Sequence, residues 1–223
     1  MGGASLRPDD YDPRLNAFVL GLARRARPRV CFVATASGDS PEYVASFYRV
    51  FSAHHDCAVA DLALFERTVG DLREFVLSQD VIWVGGGNTA SLLAVWRAHG
   101  LDLVLREAWE AGVVLCGVSA GMNCWFEAST TDSFDLARLA PLHDGLGLLP
   151  GSACPHYDGE EQRRPLYRGL VASGEFPAGY AADDAAALVF DGRELREVVT
   201  TDADAGAYRV TTDGEEPLAA RLL

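Results

Sequence analysis

Short apolar runs rich in β-branched residues alternate along this chain with longer stretches in which apolar residues return every three or four positions. Arg29-Val30-Cys31-Phe32-Val33-Ala34 reads as a buried strand ending in the small polar loop Thr35 to Ser40. Pro41 then opens a helix whose apolar residues Val44, Phe47, Tyr48 and Phe51 keep helical spacing. The unit repeats. Ala58 to Phe65 is strand-like, Val69 to Leu77 helical, and Asp80 to Val84 a strand running into Gly85-Gly86-Gly87-Asn88-Thr89. Ser91 to His99 and Leu101 to Glu110 predict two further helices before the strand Val113 to Cys116. Such alternation predicts an α/β fold, a mostly parallel sheet with helices on both faces. After position 180 the character changes. Ala186 to Phe190, Leu195 to Val199 and Ala207 to Val210 are short strands separated by Asp191-Gly192 and by Thr200 to Gly206, which predicts C-terminal hairpins closing one edge. With no linker, internal repeat or low-complexity segment, residues 1–223 are expected to form one domain.

Ligands of open parallel sheets bind beyond the carboxyl ends of the strands, so Thr35 to Ser40, Gly85 to Thr89 and Gly117 to Gly121 should converge on one crevice. The third of these loops carries the sharpest chemistry. Gly117-Val118-Ser119-Ala120-Gly121 follows a buried-strand run and precedes a helix-compatible segment. A Gly-x-Ser-x-Gly match alone is common in glycine-rich loops, but strand, tight turn and helix together are the context in which the serine is pushed out of the sheet edge against the next helix. Ser119 is the candidate nucleophile.

Composition narrows the partners. The 223 residues are 49% hydrophobic and 23% charged, an ordinary globular balance, and the formal net charge is −13. Phosphate neutralisation needs clustered Lys and Arg, so nucleic acid and anionic membrane surfaces are not expected partners. The local cationic groups are Arg24, Arg25, Arg27 and Arg29, read as a solvated helix end and turn, and Arg163, Arg164 and Arg168. Five widely spaced cysteines without a Cys-x-x-Cys pair fit reduced, mostly buried thiols rather than a zinc site or disulfide framework. The first residues lack a signal-peptide core and no run reaches membrane-spanning length, so a cytoplasmic protein is expected.

A serine hydroxyl needs a base, usually a histidine that a carboxylate holds in the right tautomer. His54, His55 and His99 fall at helix ends, where they favour the dipole, and His143 falls in a turn. His156, directly after a short apolar segment, is the candidate base. Between Ser119 and His156 the acids are Glu127, Asp132, Asp135 and Asp144. Asp144, beside Gly145, reads as turn chemistry. Glu127 ends an apolar segment where a carboxylate needs a partner, whereas Asp132 also suits an N-cap. Spacing does not choose between Glu127 and Asp132, with a slight preference for Glu127. The oxyanion requires amides already aimed at it, and these are expected from Ala120 and from the run Gly85-Gly86-Gly87. That run lacks both the Gly-x-Gly-x-x-Gly spacing and the lysine of a phosphate loop.

Val84-Gly85-Gly86-Gly87-Asn88-Thr89, Gly117 to Gly121 with Asn123 and Cys124, Thr130-Thr131-Asp132 and Pro155-His156-Tyr157, in that order, resemble the dipeptidase E and cyanophycinase family of serine peptidases. The resemblance spans most of the chain. It implies a three-layer, class I glutamine amidotransferase-like fold, a Ser-His-Asp or Ser-His-Glu triad, and hydrolysis of small peptides without metal or cofactor. Ser119 would attack, His156 shuttle the proton, Glu127 or Asp132 orient it, and Gly86, Gly87, Asn88 and Ala120 line the oxyanion and substrate site. Two departures matter. The aspartyl dipeptidases carry an arginine that pairs with substrate aspartate where Glu160 stands here, leaving Arg163 or Arg164 to bind a carboxylate. Members also begin with a strand before the equivalent of Gly2-Gly3, so a truncated start or a sheet short of one strand is expected. A late-histidine esterase fits poorly, because no histidine follows His156, and an amidotransferase would need cysteine in place of Ser119. An esterase or amidase of the same fold and a degenerate binding protein stand as alternatives, and monomer and homodimer are both open.

Overall fold

A computed structural model describes residues 1–223. The first half of the chain lays down α1 (Pro13–Leu22), β1 (Arg29–Val33), α2 (Pro41–His54), β2 (Ala58–Asp61), α3 (Leu72–Leu77), β3 (Val81–Val84), α4 (Thr89–His99), α5 (Leu101–Glu110) and β4 (Val114–Gly117). The four strands form a parallel sheet in the order β2-β1-β3-β4. Alternation along β1 and β3 divides their side chains between the faces. Val30, Phe32, Val81 and Trp83 join the core built with α1 and α2, while Cys31, Val33, Ile82 and Val84 join the core built with α3, α4 and α5. All eight are fully buried, which is why both strands read as unbroken apolar runs. On the first face Phe32 stacks on Phe47 with ring centroids 4.5 Å apart. The Trp83 indole donates to Asn16 Oδ1 at 2.9 Å and so fixes α1.

After β4 come α6 (Ala120–Asn123), β5 (Ala128–Thr131), β6 (Ala140–Leu142), β7 (Ser152–Cys154), α7 (Arg163–Ala172), β8 (Gly179–Ala182), β9 (Ala186–Asp191), β10 (Glu194–Thr200), β11 (Ala207–Thr211), β12 (Gly214–Leu218) and β13 (Ala220–Leu222). A mixed sheet has the order β12-β11-β8-β7-β5-β6, with β5, β7 and β8 parallel, and β13-β10-β9 forms a third. The fold class matches expectation, whereas the C-terminal strands are distributed differently. Hairpin β9–β10 belongs to the three-stranded sheet and β11–β12 closes the edge of the mixed one, because β11 pairs with β8 rather than with β10.

Two boundaries shift for local reasons. The Asp39 carboxylate accepts from the amides of Leu64 and Phe65 at 2.6 and 2.9 Å, drawing that segment out of the ladder, so β2 ends at Asp61 instead of Phe65. Asp71 caps α3 by accepting from the Glu74 amide at 2.8 Å, which starts that helix after Gly70 instead of at Val69. Residues Met1 to Gly3 lie between β4 and β9. The Met1 amine donates to Gly117 O at 3.1 Å, Ser119 N–H donates to Met1 O at 3.3 Å, and Gly2 N–H donates to Ala186 O at 3.0 Å. No helix is long and apolar enough to cross a membrane.

Candidate active site

Strand β4 delivers Ser119 to the start of α6 with φ 57° and ψ −112°, a conformation L-residues rarely adopt. The turn closes only because its flanks are glycine. A Cβ at position 117 would lie 2.4 Å from Gly121 O, and one at 121 would lie 2.3 Å from Val84 O. Gly121→Ala is therefore expected to cost about 3 kcal/mol, the upper range for an overpacked core, and a urea titration reads the loss.

Two backbone amides, one in the elbow and one in the Gly85–Gly87 loop, are unengaged. The N–H groups of Ala120 and Gly87 donate to no protein acceptor. Gly87 has φ 135°, and a Cβ there would sit 2.3 Å from Ala36 O, so only glycine fits. At Gly86 a Cβ would be 3.4 Å from Ser119 Cβ, which puts that backbone against the nucleophile. Its own N–H, however, is taken by the Tyr43 hydroxyl at 3.3 Å. Asn88 is also engaged at both ends: Oδ1 accepts from Ser91 N–H and Nδ2 donates to Ser133 O, each at 2.8 Å. Its place is thus cap of α4 and anchor of the loop after β5.

His156 follows β7 with φ 51°, and its Nδ1 lies 2.6 Å from Asp184 Oδ1. Asp184 follows β8, the parallel neighbour of β7. Hydrogen bonding to His156 lowers the Asp184 pKa and outweighs the opposing effect of partial burial. An ionised Asp184 places the proton on Nδ1 and leaves Nε2 as the acceptor. Residues Met1 to Gly3 tie this pair to the elbow. Met1 O accepts from Ser119 N–H, and a Cβ on Gly3 would fall 2.8 Å from His156 Nδ1. Two extended residues span at most about 7 Å. Ser119 Oγ makes no hydrogen bond to the protein, so the serine–imidazole contact is open in this state, as is common in ligand-free sites.

Glu127 and Asp132 do not meet the histidine. The exposed Glu127 accepts from Gly151 N–H at 2.9 Å, the partner a carboxylate beside that apolar segment needs, and Asp132 lines a cavity with Glu160. The carboxylate that meets His156 is that of Asp184, outside the interval between serine and histidine in which an acid was sought. The pair Asp183-Asp184 directly after an apolar strand was the available signal. Of the two, Asp183 turns inward, 3% exposed, accepting from Gly206 N–H at 2.9 Å, and burial raises its pKa. Arg163 is buried and paired with Glu160. The remaining histidines lie elsewhere: His55 against Tyr11, His143 at 3.5 Å from Glu175.

An α/β fold presenting a serine on a strained strand–helix elbow, with free amides and a carboxylate-bound imidazole nearby, defines a hydrolase-like site. The model of peptidase family S51 matches residues 1–198, and the chain belongs to that family of peptidases. It is 48% identical over 209 residues to the uncharacterized peptidase YgaJ of Bacillus subtilis (strain 168), covering 94% of this chain and 88% of that one. It is 28% identical over 186 residues to Peptidase E of Shewanella denitrificans, covering 75% and 78%. Among solved structures, a peptidase from an acI-B1 Actinobacterium superposes with TM-score 0.74 at 18% identity, covering 99% of this chain and 92% of that one. A putative Peptidase E from Listeria monocytogenes EGD-e gives TM-score 0.56, also at 18% identity, covering 93% and 92%. At that identity the likeness concerns the fold.

Proposed function

We propose that the protein is a serine peptidase that hydrolyses short peptides through Ser119, His156 and Asp184. The observation that carries this reading is the 2.6 Å pairing of His156 Nδ1 with Asp184, on the strand beside the one that presents the histidine, close to a strained serine. His156 Nε2 takes the Ser119 proton as Oγ bonds to the scissile carbonyl carbon. The carbonyl oxygen, now anionic, receives the N–H groups of Ala120 and Gly87. Collapse of the tetrahedral adduct breaks the C–N bond, and the imidazolium returns its proton to the departing amine. Water, deprotonated by the same nitrogen, then cleaves the acyl ester and restores Ser119. The name Peptidase E shared by several relatives supports peptides as substrates, and the resemblance to dipeptidase E supports short ones.

An active-site-directed fluorophosphonate should label the wild type and leave Ser119→Ala unlabelled, and the wild type should release amino acids from a dipeptide and tripeptide library. Equal labelling of Ser119→Ala would remove the nucleophile. Labelling with cleavage of esters or amides alone would make the protein an esterase or amidase of the same fold.

A further inference from the structure

The run Gly85-Gly86-Gly87 carries one of the two amides proposed to receive the oxyanion, yet consecutive glycines do not by themselves hold an amide in one direction. The pins come from outside the run. Gly85 N–H donates to Val33 O at 3.0 Å and Asn88 N–H to Ala36 O at 2.8 Å, backbone acceptors at the end of β1 and just after it. Gly86 N–H alone goes to a side chain, the Tyr43 hydroxyl at 3.3 Å. Of the amides from 85 to 88, Gly87 N–H is the one left without a protein acceptor. Tyr43 is set for this contact by its packing. It stands in the first turn of α2, where its ring meets Phe32 edge-on with centroids 5.1 Å apart. A Cβ at position 85 would fall 2.9 Å from Tyr43 Cε1, so the ring lies directly over the glycine backbone. Burial pushes the phenol pKa up, which keeps the hydroxyl neutral, and it makes no second hydrogen bond to the protein.

Peptide units are planar, so fixing an N–H fixes the unit that carries it. Tyr43 fixes the unit between Gly85 and Gly86, and the unit presenting Gly87 N–H is the next one along. Only the two dihedrals of Gly86 lie between them. Without the hydroxyl, three glycines would run unpinned from the end of the sheet to Asn88, in a loop that lies against Ser119. We propose that Tyr43 is a positioning residue for the oxyanion site: by holding the Gly86 amide, its hydroxyl keeps Gly87 N–H aimed at the carbonyl oxygen that becomes anionic. Amides lower the barrier only when aimed before the charge forms, so a loosened loop costs rate rather than substrate affinity. The inference rests on the peptidase reading for the reaction and on the Tyr43–Gly86 contact for the geometry.

The test is Tyr43→Phe, which keeps the ring and its contact with Phe32 and removes only the acceptor. On the peptide that the wild type cleaves best, kcat should fall at least tenfold while KM stays within threefold, a smaller loss than the roughly 10²–10³ that follows outright removal of a donor. The rate of labelling by the fluorophosphonate, whose P=O oxygen takes the place of the carbonyl oxygen, should fall by a similar factor. The pH midpoint of labelling should stay within about half a unit of wild type, because His156 and Asp184 are untouched. Tyr48→Phe removes another α2 hydroxyl, one that donates to Asp61 Oδ1 at 2.8 Å, and should leave both rates within twofold. If Tyr43→Phe does not fold, Tyr43→Leu is measured in its place with the same expectation. Unchanged rates overturn the proposal, and so does a rise in KM at unchanged kcat, a shifted pH midpoint or an equal loss in Tyr48→Phe. Slower labelling of Tyr43→Phe, in a protein whose wild type is labelled but cleaves no peptide, would uphold the role of Tyr43 and count against the peptidase reading alone.

Discussion

Ser119→Gly is expected to abolish peptide hydrolysis and at the same time to raise the melting midpoint by about 2–4 °C, the shift that about 1 kcal/mol gives a chain of this length. The loss of activity is expected from removing the oxygen proposed to attack, and kcat should fall by roughly three to six orders of magnitude. The gain in stability follows from the backbone. At φ 57° and ψ −112° the serine carries strain of about 1–3 kcal/mol, which glycine does not feel. Glycine's greater freedom in the unfolded chain takes back about 0.5–1 kcal/mol. The hydroxyl holds no hydrogen bond to the protein, so its removal costs nothing further in the folded state. Ser119→Ala separates the two effects because it keeps the Cβ and hence the strain: it should be as inactive as the glycine variant and no more stable than wild type. Calorimetric midpoints for the three proteins decide the matter. Equal midpoints for Gly and Ala would mean that no strain is stored at the elbow.

What could be foreseen from sequence follows the range over which each cause acts. The elbow was legible because its causes are local: an apolar strand, two glycines that alone avoid contacts of 2.4 and 2.3 Å, and a helix start. Strands β1 and β3 were legible because burial on both faces leaves no polar position to break the run. The end of β2 was not, since it is set by the Asp39 carboxylate, 25 positions before Leu64. The same holds for Gly86 and Asn88. Their motif announces a loop facing the serine, but which amide remains free depends on Tyr43 from α2 and Ser133 from the loop after β5. Asp184 was missed for the strongest version of this reason. It lies 28 positions from His156, and the two meet because β7 and β8 are neighbours in the mixed sheet, a pairing no short motif records.

Asp184→Asn is the decisive substitution for the triad, with kcat expected to fall by roughly two to four orders of magnitude. An asparagine amide can keep a hydrogen bond to the ring, but with its NH2 facing Nδ1 it selects the tautomer that protonates Nε2, leaving no acceptor for the serine proton. It also withdraws the negative charge that stabilises the imidazolium formed during attack. Glu127→Gln and Asp132→Asn should each leave kcat within about threefold of wild type, because Glu127 serves the Gly151 amide and neither touches the ring. The pH dependence of stability supplies an independent check. Hydrogen bonding to His156 holds the Asp184 carboxylate below its ordinary range, so its contribution is present above the unfolded carboxylate pKa and is lost as pH falls through the lowered folded value. Asp184→Asn should therefore show a shallower loss of stability below about pH 4 than wild type, the ordinary carboxylate range. Full activity in Asp184→Asn together with inactivity in Glu127→Gln or Asp132→Asn would return the orienting role to the interval between serine and histidine. It would also leave the His156–Asp184 pair as a purely structural contact.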